Sequence, residues 1–354
     1  MSVRHEFAAS IALVALAAVL QLAPLPAGWI EGTYANGIYA TLERTCVPLA
    51  NRLPFTLGDV LLLALAVGLL VGGVTIARRP EPRARRWGRL AARGTATIAL
   101  IAIWFNLAWA LNYRRDPIID RVVFDAARVD PRGVHALATR IVTQLDATAP
   151  QAHAERISEA QLEATLAQAY APVMRRLGDR YAIILSRPKT TLFDRWFELA
   201  GIGGTWDPFA YETILNAEFL PFERPFALAH EWGHVGGFGN EGDANLIAAL
   251  TTLRSRDPLI RYSGLFWAFG FLPEDDRRTA ALSPLVRADL DAAEHRFLRW
   301  YNPRLFSFQW FVYDKYLRAN RVERGVVSYS QFVQMLVGMT LDADGLPVTR
   351  SPLK

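Results

Sequence analysis

Residues 230–245 read HEWGHVGGFGNEGDAN, a run in which two imidazoles and several carboxylates fall at intervals that suit a metal ion. Helix positions four apart share a face, so His230 and His234 can offer ring nitrogens to one zinc ion, with Glu231 beside them to take a proton from water. A catalytic zinc takes three protein ligands and leaves one place open. Glu241, seven residues after His234, follows a glycine-rich reversal and opens a second helix, so its carboxylate can turn back toward the ion. Asp243 is the rival third ligand. Asn245 lies one turn from Glu241 on the same face, suited to hydrogen-bond a ligand. His5, His135, His153 and His295 have no partners at ligand spacing. The chemistry open to such a set is hydrolysis of a peptide bond. Glu231 would act as general base, and Tyr211, Arg261 or Tyr262 would donate to the developing oxyanion. Each of those three donors also has an ordinary packing or ion-pair role.

The elements that must position these groups follow from the local pattern. Pro225 suits the first turn of a helix that continues through FALAHEWGHV and ends at Gly236-Gly237. AYETILNAEF (210–219), rich in aromatic and β-branched residues, predicts a strand just before that helix, placed as the edge along which an extended substrate would add. YAIILS (181–186) predicts a second strand. Amphipathic helices are predicted over 130–148, where Asp130 caps and Pro131 opens, and over 158–181. Further helices are predicted at Asp257 to Phe269, Ser283 to Tyr301, Leu305 to Ala319 and Tyr329 to Met339. The apolar run 259–272 contains Arg261 and falls short of the ~20 residues a span needs, so it reads as a core helix. Phe306, Phe308, Trp310, Phe311 and Tyr313 cluster on one predicted helix and read as core packing or contact with a membrane surface.

Ahead of this part lie three apolar runs, at about 7–23, 55–77 and 96–112, each near the length that crosses a bilayer as a helix. The 354-residue chain thus divides into a membrane region, 1–115, and a mainly α, α+β domain with a small sheet, 116–354. The net charge of +5 does not point to nucleic acid, because seven arginines between Arg78 and Arg93 account for it. A basic loop of that kind stays on the cytoplasmic side. The N-terminus is then cytoplasmic and the C-terminal domain extracytoplasmic, whether the first run is an anchor or, as LAPLPAG at its end allows, a cleaved leader. Cys46 is the only cysteine, which rules out an intramolecular disulfide and a cysteine-based zinc site.

HEWGHVGGFGNEGDAN resembles the glutamate-zincin pattern, HExxH followed by Glu-x-x-Ala-Asp/Asn. PFTLGD, WALNYRR, GIGGTWDPF, PFALAHEWGH, EGDAN, IRYSG, YDKYLRANR and VVSYSQFV, in that order, make the chain similar to a bacterial domain-of-unknown-function family of three-span membrane proteins. The resemblance implies a membrane-anchored, zincin-like domain with His230, His234 and Glu241 as zinc ligands and Glu231 as base. Gly233, where the pattern more often carries alanine, and the bulky Trp232 depart from it.

The expected function is a zinc metallopeptidase acting on a peptide or protein substrate at the outer face of the lipid bilayer. Its rival is a noncatalytic zinc-binding sensor or scaffold that holds a peptide or membrane partner. Glu231 favours the enzyme, since zinc binding alone does not need it. An intramembrane protease is disfavoured by the charges between Glu218 and Glu241.

Overall fold

The computed structural model describes residues 2–179, 181–320, 322 and 331–350. Helices α1 (Val3–Leu22), α4 (Leu57–Ala77) and α5 (Arg83–Ala108) are long and apolar enough to cross a membrane. α4 buries only Asp59 and Ile76 and leaves its valines and most of its leucines exposed, as a lipid-facing helix does. The third apolar run, short on its own, is extended backwards: the arginine segment read as a loop is largely the first three turns of α5, begun after Pro82. Arginine and alanine are good helix formers, so the basic stretch continues the helix. The helix stops at Ala108, before the expected 112, where Trp109 turns to φ −152° and a 3-10 stretch, Ala110–Arg114, follows.

The spans are tied together by charge at one end and by the rest of the protein at the other. Glu6 of α1 pairs with Arg89 at 2.7 Å and Arg93 at 3.1 Å on α5, and Glu81 pairs with Arg89 at 3.0 Å. At the opposite end, Arg114 donates to the carbonyls of Leu20, Gln21 and Ala23, which a helix terminus leaves without partners. The chain between α1 and α4 is helical as well: α2 (Ala27–Trp29), a π-helical stretch Ile30–Tyr39, and α3 (Ala40–Asn51), with Tyr34 and Tyr39 fully buried.

After the short α6 (Ile118–Arg121), α7 (Pro131–Ala154) and α8 (Glu159–Leu177) lie where the periodicity puts them. Asp130 caps the first and a Ser158/Gln161 capping box opens the second. Then come α9 (Asp194–Ala200), α10 (Arg224–Val235), α11 (Glu241–Leu253), α12 (Pro258–Gly270), α13 (Glu274–Thr279), α14 (Pro284–Leu298), α15 (Pro303–Ala319) and α16 (Gln331–Gly338). Residues 329–330 of the last predicted helix lie outside the described residues. α11 is the centre of the body, buried from Glu241 to Thr252 and packed by α8, α10, α12 and α16. α12, the run short of a span, is a core helix.

The sheet has three strands in the order β1-β3-β2: β1 (Pro188–Lys189), β2 (Gly204–Asp207) and β3 (Glu212–Leu215), with β1 parallel and β2 antiparallel to β3. The expected edge strand, β3, is therefore the central one, and β2 is an edge. The expected strand over 181–186 does not form. Its polar groups go to side chains instead: the Ile184 amide to Glu43, the Leu185 carbonyl to Asn51, the Ser186 carbonyl to the Trp232 indole.

Glu43, wholly buried, accepts from the Ile184 amide through Oε1 at 2.8 Å and has no partner at Oε2. Burial outweighs that hydrogen bond and pushes its carboxyl up to about 8. An acid raised in the folded state holds a proton that the unfolded chain has released, so this group's contribution is full below its ordinary value of 4.5 and is lost as pH rises through about 8. Glu43→Gln should match the wild type in thermal midpoint at pH 5 and exceed it at pH 8, measured side by side in detergent. A constant offset at both values would show that Glu43 is not the titrating group.

Candidate metal centre

α10 opens with Pro225 and ends at Gly236, and the chain reverses through Gly237, whose φ of +79° favours glycine. A Cβ at Gly237 would also meet Arg115 Nη1 at 2.9 Å. Arg115 belongs in that space: it donates to the carbonyls of Gly236 at 2.8 Å and Gly237 at 3.2 Å, and is itself held by Glu31 and Asp179. Tyr39 donates to the Val235 carbonyl at 2.9 Å. The turn delivers Asn240, which caps α11 by accepting from the Gly242 amide, and places Glu241 as the first helical residue.

The helices approach closely at Gly233, where a Cβ would stand 3.1 Å from Ala244 Cα. The glycine that departs from the sequence pattern suits this approach, since a methyl there would press Ala244 back by a few tenths of an ångström. Trp232 points the other way, fully buried, with its indole on the Ser186 carbonyl.

His230, His234 and Glu241 come together so that one ligand atom from each lies within 4.8 Å of the others. His230 Nε2 is 3.1 Å and His234 Nε2 3.6 Å from the same Glu241 oxygen, Oε2. The opposite ring nitrogens are committed: His234 Nδ1 to the Phe238 carbonyl at 2.7 Å and His230 Nδ1 to Asn245 Oδ1 at 2.8 Å. Both acceptors are oxygens, so Nδ1 carries a proton, and whenever a ring is deprotonated its lone pair is on Nε2, facing the cluster. Two imidazole nitrogens and a carboxylate oxygen are the donor set of a three-ligand zinc site, and the atoms present fit such an ion.

Burial alone would lower His234, but the Glu241 carboxylate against it raises it to about 9. Burial would raise Glu241, and the two histidines hold it well below the ordinary carboxylate range. Glu231 belongs to neither pair. It is buried, burial raises its carboxyl, and its Oε2 has no partner. Its Oε1 faces β2, 2.7 Å from where a Cβ on Gly204 would stand.

The other candidates lie elsewhere. Asp243 accepts from the Ile118 amide at 3.3 Å, away from the cluster, and burial pushes it up to about 7. Tyr211, in a left-handed conformation at φ +57°, donates to the Ala108 carbonyl at 3.1 Å. Tyr262 donates to Asp289, and Arg261 to Gln144 at 3.2 Å. None of the three expected oxyanion donors is directed at the histidines. A hydroxyl that does reach the ligand set is that of Tyr313 on α15, which donates to Glu241 Oε1. In the sequence it is one of the aromatic cluster Phe306, Phe308, Trp310, Phe311 and Tyr313, with no local mark of this contact. Trp109 adds a wall, edge-on to His234 with centroids 6.0 Å apart, and Tyr113 hydrogen-bonds Tyr316 at 3.0 Å behind it.

A family model described as protein of unknown function (DUF3810) matches residues 34–337, most of the chain. No curated protein and no solved structure matches.

The contact between Gly204 and Glu231 has a measurable price. A Cβ there would also meet Ile214 O and Leu215 Cδ2 at 3.0 Å, so Gly204→Ala should cost about 1–3 kcal/mol and lower the thermal midpoint by a few degrees. Gly270→Ala, with nothing within 4 Å, is the control and should leave the midpoint unchanged or slightly raised. Equal midpoints for the two variants would mean that Gly204 is not packed against the glutamate.

Proposed function

The chain belongs to the DUF3810 family of proteins of unknown function, and we propose that this member is a membrane-anchored zinc metallopeptidase working at the extracytoplasmic face. The observation that carries the reading is the convergence of His230 Nε2, His234 Nε2 and Glu241 Oε2 beside a buried glutamate, Glu231, with an oxygen to spare. In this reading His230, His234 and Glu241 hold the ion, Asn245 and the Phe238 carbonyl fix the two rings, and the domain is zincin-like in its site. Zinc bound there would polarise a substrate carbonyl and acidify water. Glu231 would accept the water's proton and pass it to the leaving amine, a role that suits a carboxyl whose affinity for protons burial has raised. Tyr313, already at the ligand set, would donate to the oxyanion. β2, an edge strand beside Glu231, would pair with an extended peptide.

The orientation is part of the proposal. Glu6, Glu81, Arg89 and Arg93 mark the end of the spans remote from the body, and a dense arginine segment belongs on the cytoplasmic side. The body, the metal cluster and the C-terminus would then lie outside. A fusion after Lys354 of a reporter active only in the cytoplasm should stay silent, whereas one active only outside should report. The reverse pattern would place the site in the cytoplasm.

Catalysis is tested by separating it from binding. Purified full-length protein should hold about one zinc per chain, and His230→Ala, His234→Ala and Glu241→Ala should lose tight binding. Glu231→Gln should keep the zinc and the thermal midpoint while losing roughly 10²–10⁴ in peptide cleavage. Zinc retained with cleavage equal, or equally absent, in wild type and Glu231→Gln across a broad peptide library would favour a noncatalytic zinc-binding scaffold.

A further inference from the structure

The body carries apolar side chains in the open on one side only partly explained by its core. α15 exposes Phe308, Phe311 and Val312 at 58%, 61% and 43%, and α9 and its neighbours expose Leu192, Trp196 and Phe209. Contiguous apolar surface of this kind marks a contact, and the partner has to be identified from what surrounds it.

Four contacts locate the patch. Asp59, in the first turn of α4, accepts from the Thr191 hydroxyl at 2.6 Å and the Leu192 amide at 2.7 Å, so α9 begins at the end of the second span. Phe209 stacks on Phe105, in the last turn of α5, with centroids 6.0 Å apart. Gln21, at the end of α1, donates to the Ala319 carbonyl, the last residue of α15, at 3.0 Å. Asn302, the cap of α15, donates its amide to Leu199 of α9 at 3.1 Å. The elements that carry the exposed residues are thus tied to the body-side ends of all three spans.

The charge on α15 matches the same location. Arg304, Lys315 and Arg318 lie on its exposed side, Lys315 sits over the Phe311 ring, and the single acid of the helix, Asp314, pairs with Arg318. Arg304, Phe308, Phe311, Lys315 and Arg318 interleave on one exposed face, spaced three and four apart, so in the headgroup layer the rings can enter the upper acyl chains while the long cationic side chains reach up to the phosphates.

We propose that α15, together with Leu192 and Trp196 near α9, lies on the body-side leaflet of the bilayer as an interfacial helix. This rests on reading α1, α4 and α5 as membrane spans and deepens the proposed function. The same helix presents Tyr313 to Glu241, which puts the metal cluster about one helix diameter, ~10 Å, from lipid.

The test uses the full chain in vesicles of phosphatidylcholine with phosphatidylglycerol. An environment-sensitive fluorophore is attached at position 311 through F311C in a C46A background, and a control is attached through D275C, on α13, where the native side chain is 91% exposed. The fluorophore at 311 should emit further to the blue than at 275. A nitroxide on the upper acyl chain should quench it several-fold more, and aqueous iodide several-fold less. Photo-crosslinking from benzoylphenylalanine at position 311, in a chain that keeps Cys46, should give lipid adducts. Iodide quenching equal at the two positions would place the rim in water and overturn the proposal. So would chain-to-chain adducts with protection that depends on the protein-to-lipid ratio, which would assign the patch to a second copy. Retention in the same vesicles after carbonate washing reports the spans separately, and zinc content reports the metal reading separately.

Discussion

A carboxylate taken out of water must be answered by charge or by hydrogen bonds, and the answer given to Glu241 organises the middle of this protein. Left alone, such a group would cost several kcal/mol. Here two imidazoles and a tyrosine hydroxyl meet it, from α10 and α15. Bringing the imidazoles close requires α10 and α11 to touch along Gly233 and Ala244, and that contact requires the glycine reversal between them. The packing of the most buried helix and the chemistry of the cluster are therefore one constraint. A side chain larger than methyl at the crossing would press on both.

The reversal is held from the membrane side. Three carbonyls at the end of α10 are held from a distance: Trp232 O takes the Tyr170 hydroxyl in addition to the Gly236 amide, Val235 O takes Tyr39, and Gly236 O takes Arg115. Arg115 follows the third span and Tyr39 precedes the second. Arg115 is kept in place by Glu31 of the π-helical stretch, which also pairs with Arg121. Segments that sequence alone would assign to the membrane half thus form part of the frame of the cluster.

What the sequence revealed and what it concealed divide along the range of the interactions. The spans are legible because lipid demands continuous apolar runs, and the amphipathic helices because capping residues and periodicity are local. His230, His234 and Glu241 are legible because an i, i+4 spacing and a short turn fix their neighbourhood. Tyr313 is not, since 72 residues separate it from Glu241 and nothing local distinguishes it from Phe308 or Phe311. Tyr211, Arg261 and Tyr262 have the right chemistry in the wrong places, each satisfied by a distant carbonyl, amide or carboxylate that no spacing announces. The same holds for 181–186: its β-branched composition suggests a strand, but Glu43 and Asn51 on α3 take the hydrogen bonds a neighbouring strand would have made. β3 lost its expected edge because Pro188 and Lys189, too short a run to recognise, pair with its free side.

Trp109 is both the residue that ends the third span and a wall of the cluster, edge-on to His234. A side chain with two such duties ties the cluster to the end of α5, and so, where α5 spans a bilayer, to a height above it. An extended polypeptide advances about 3.3 Å per residue. On the proposed peptidase reading, a chain tethered in the same bilayer would meet a cluster at fixed height only with residues a set count from its tether, so the span would act as a ruler that selects by distance before any pocket selects by side chain.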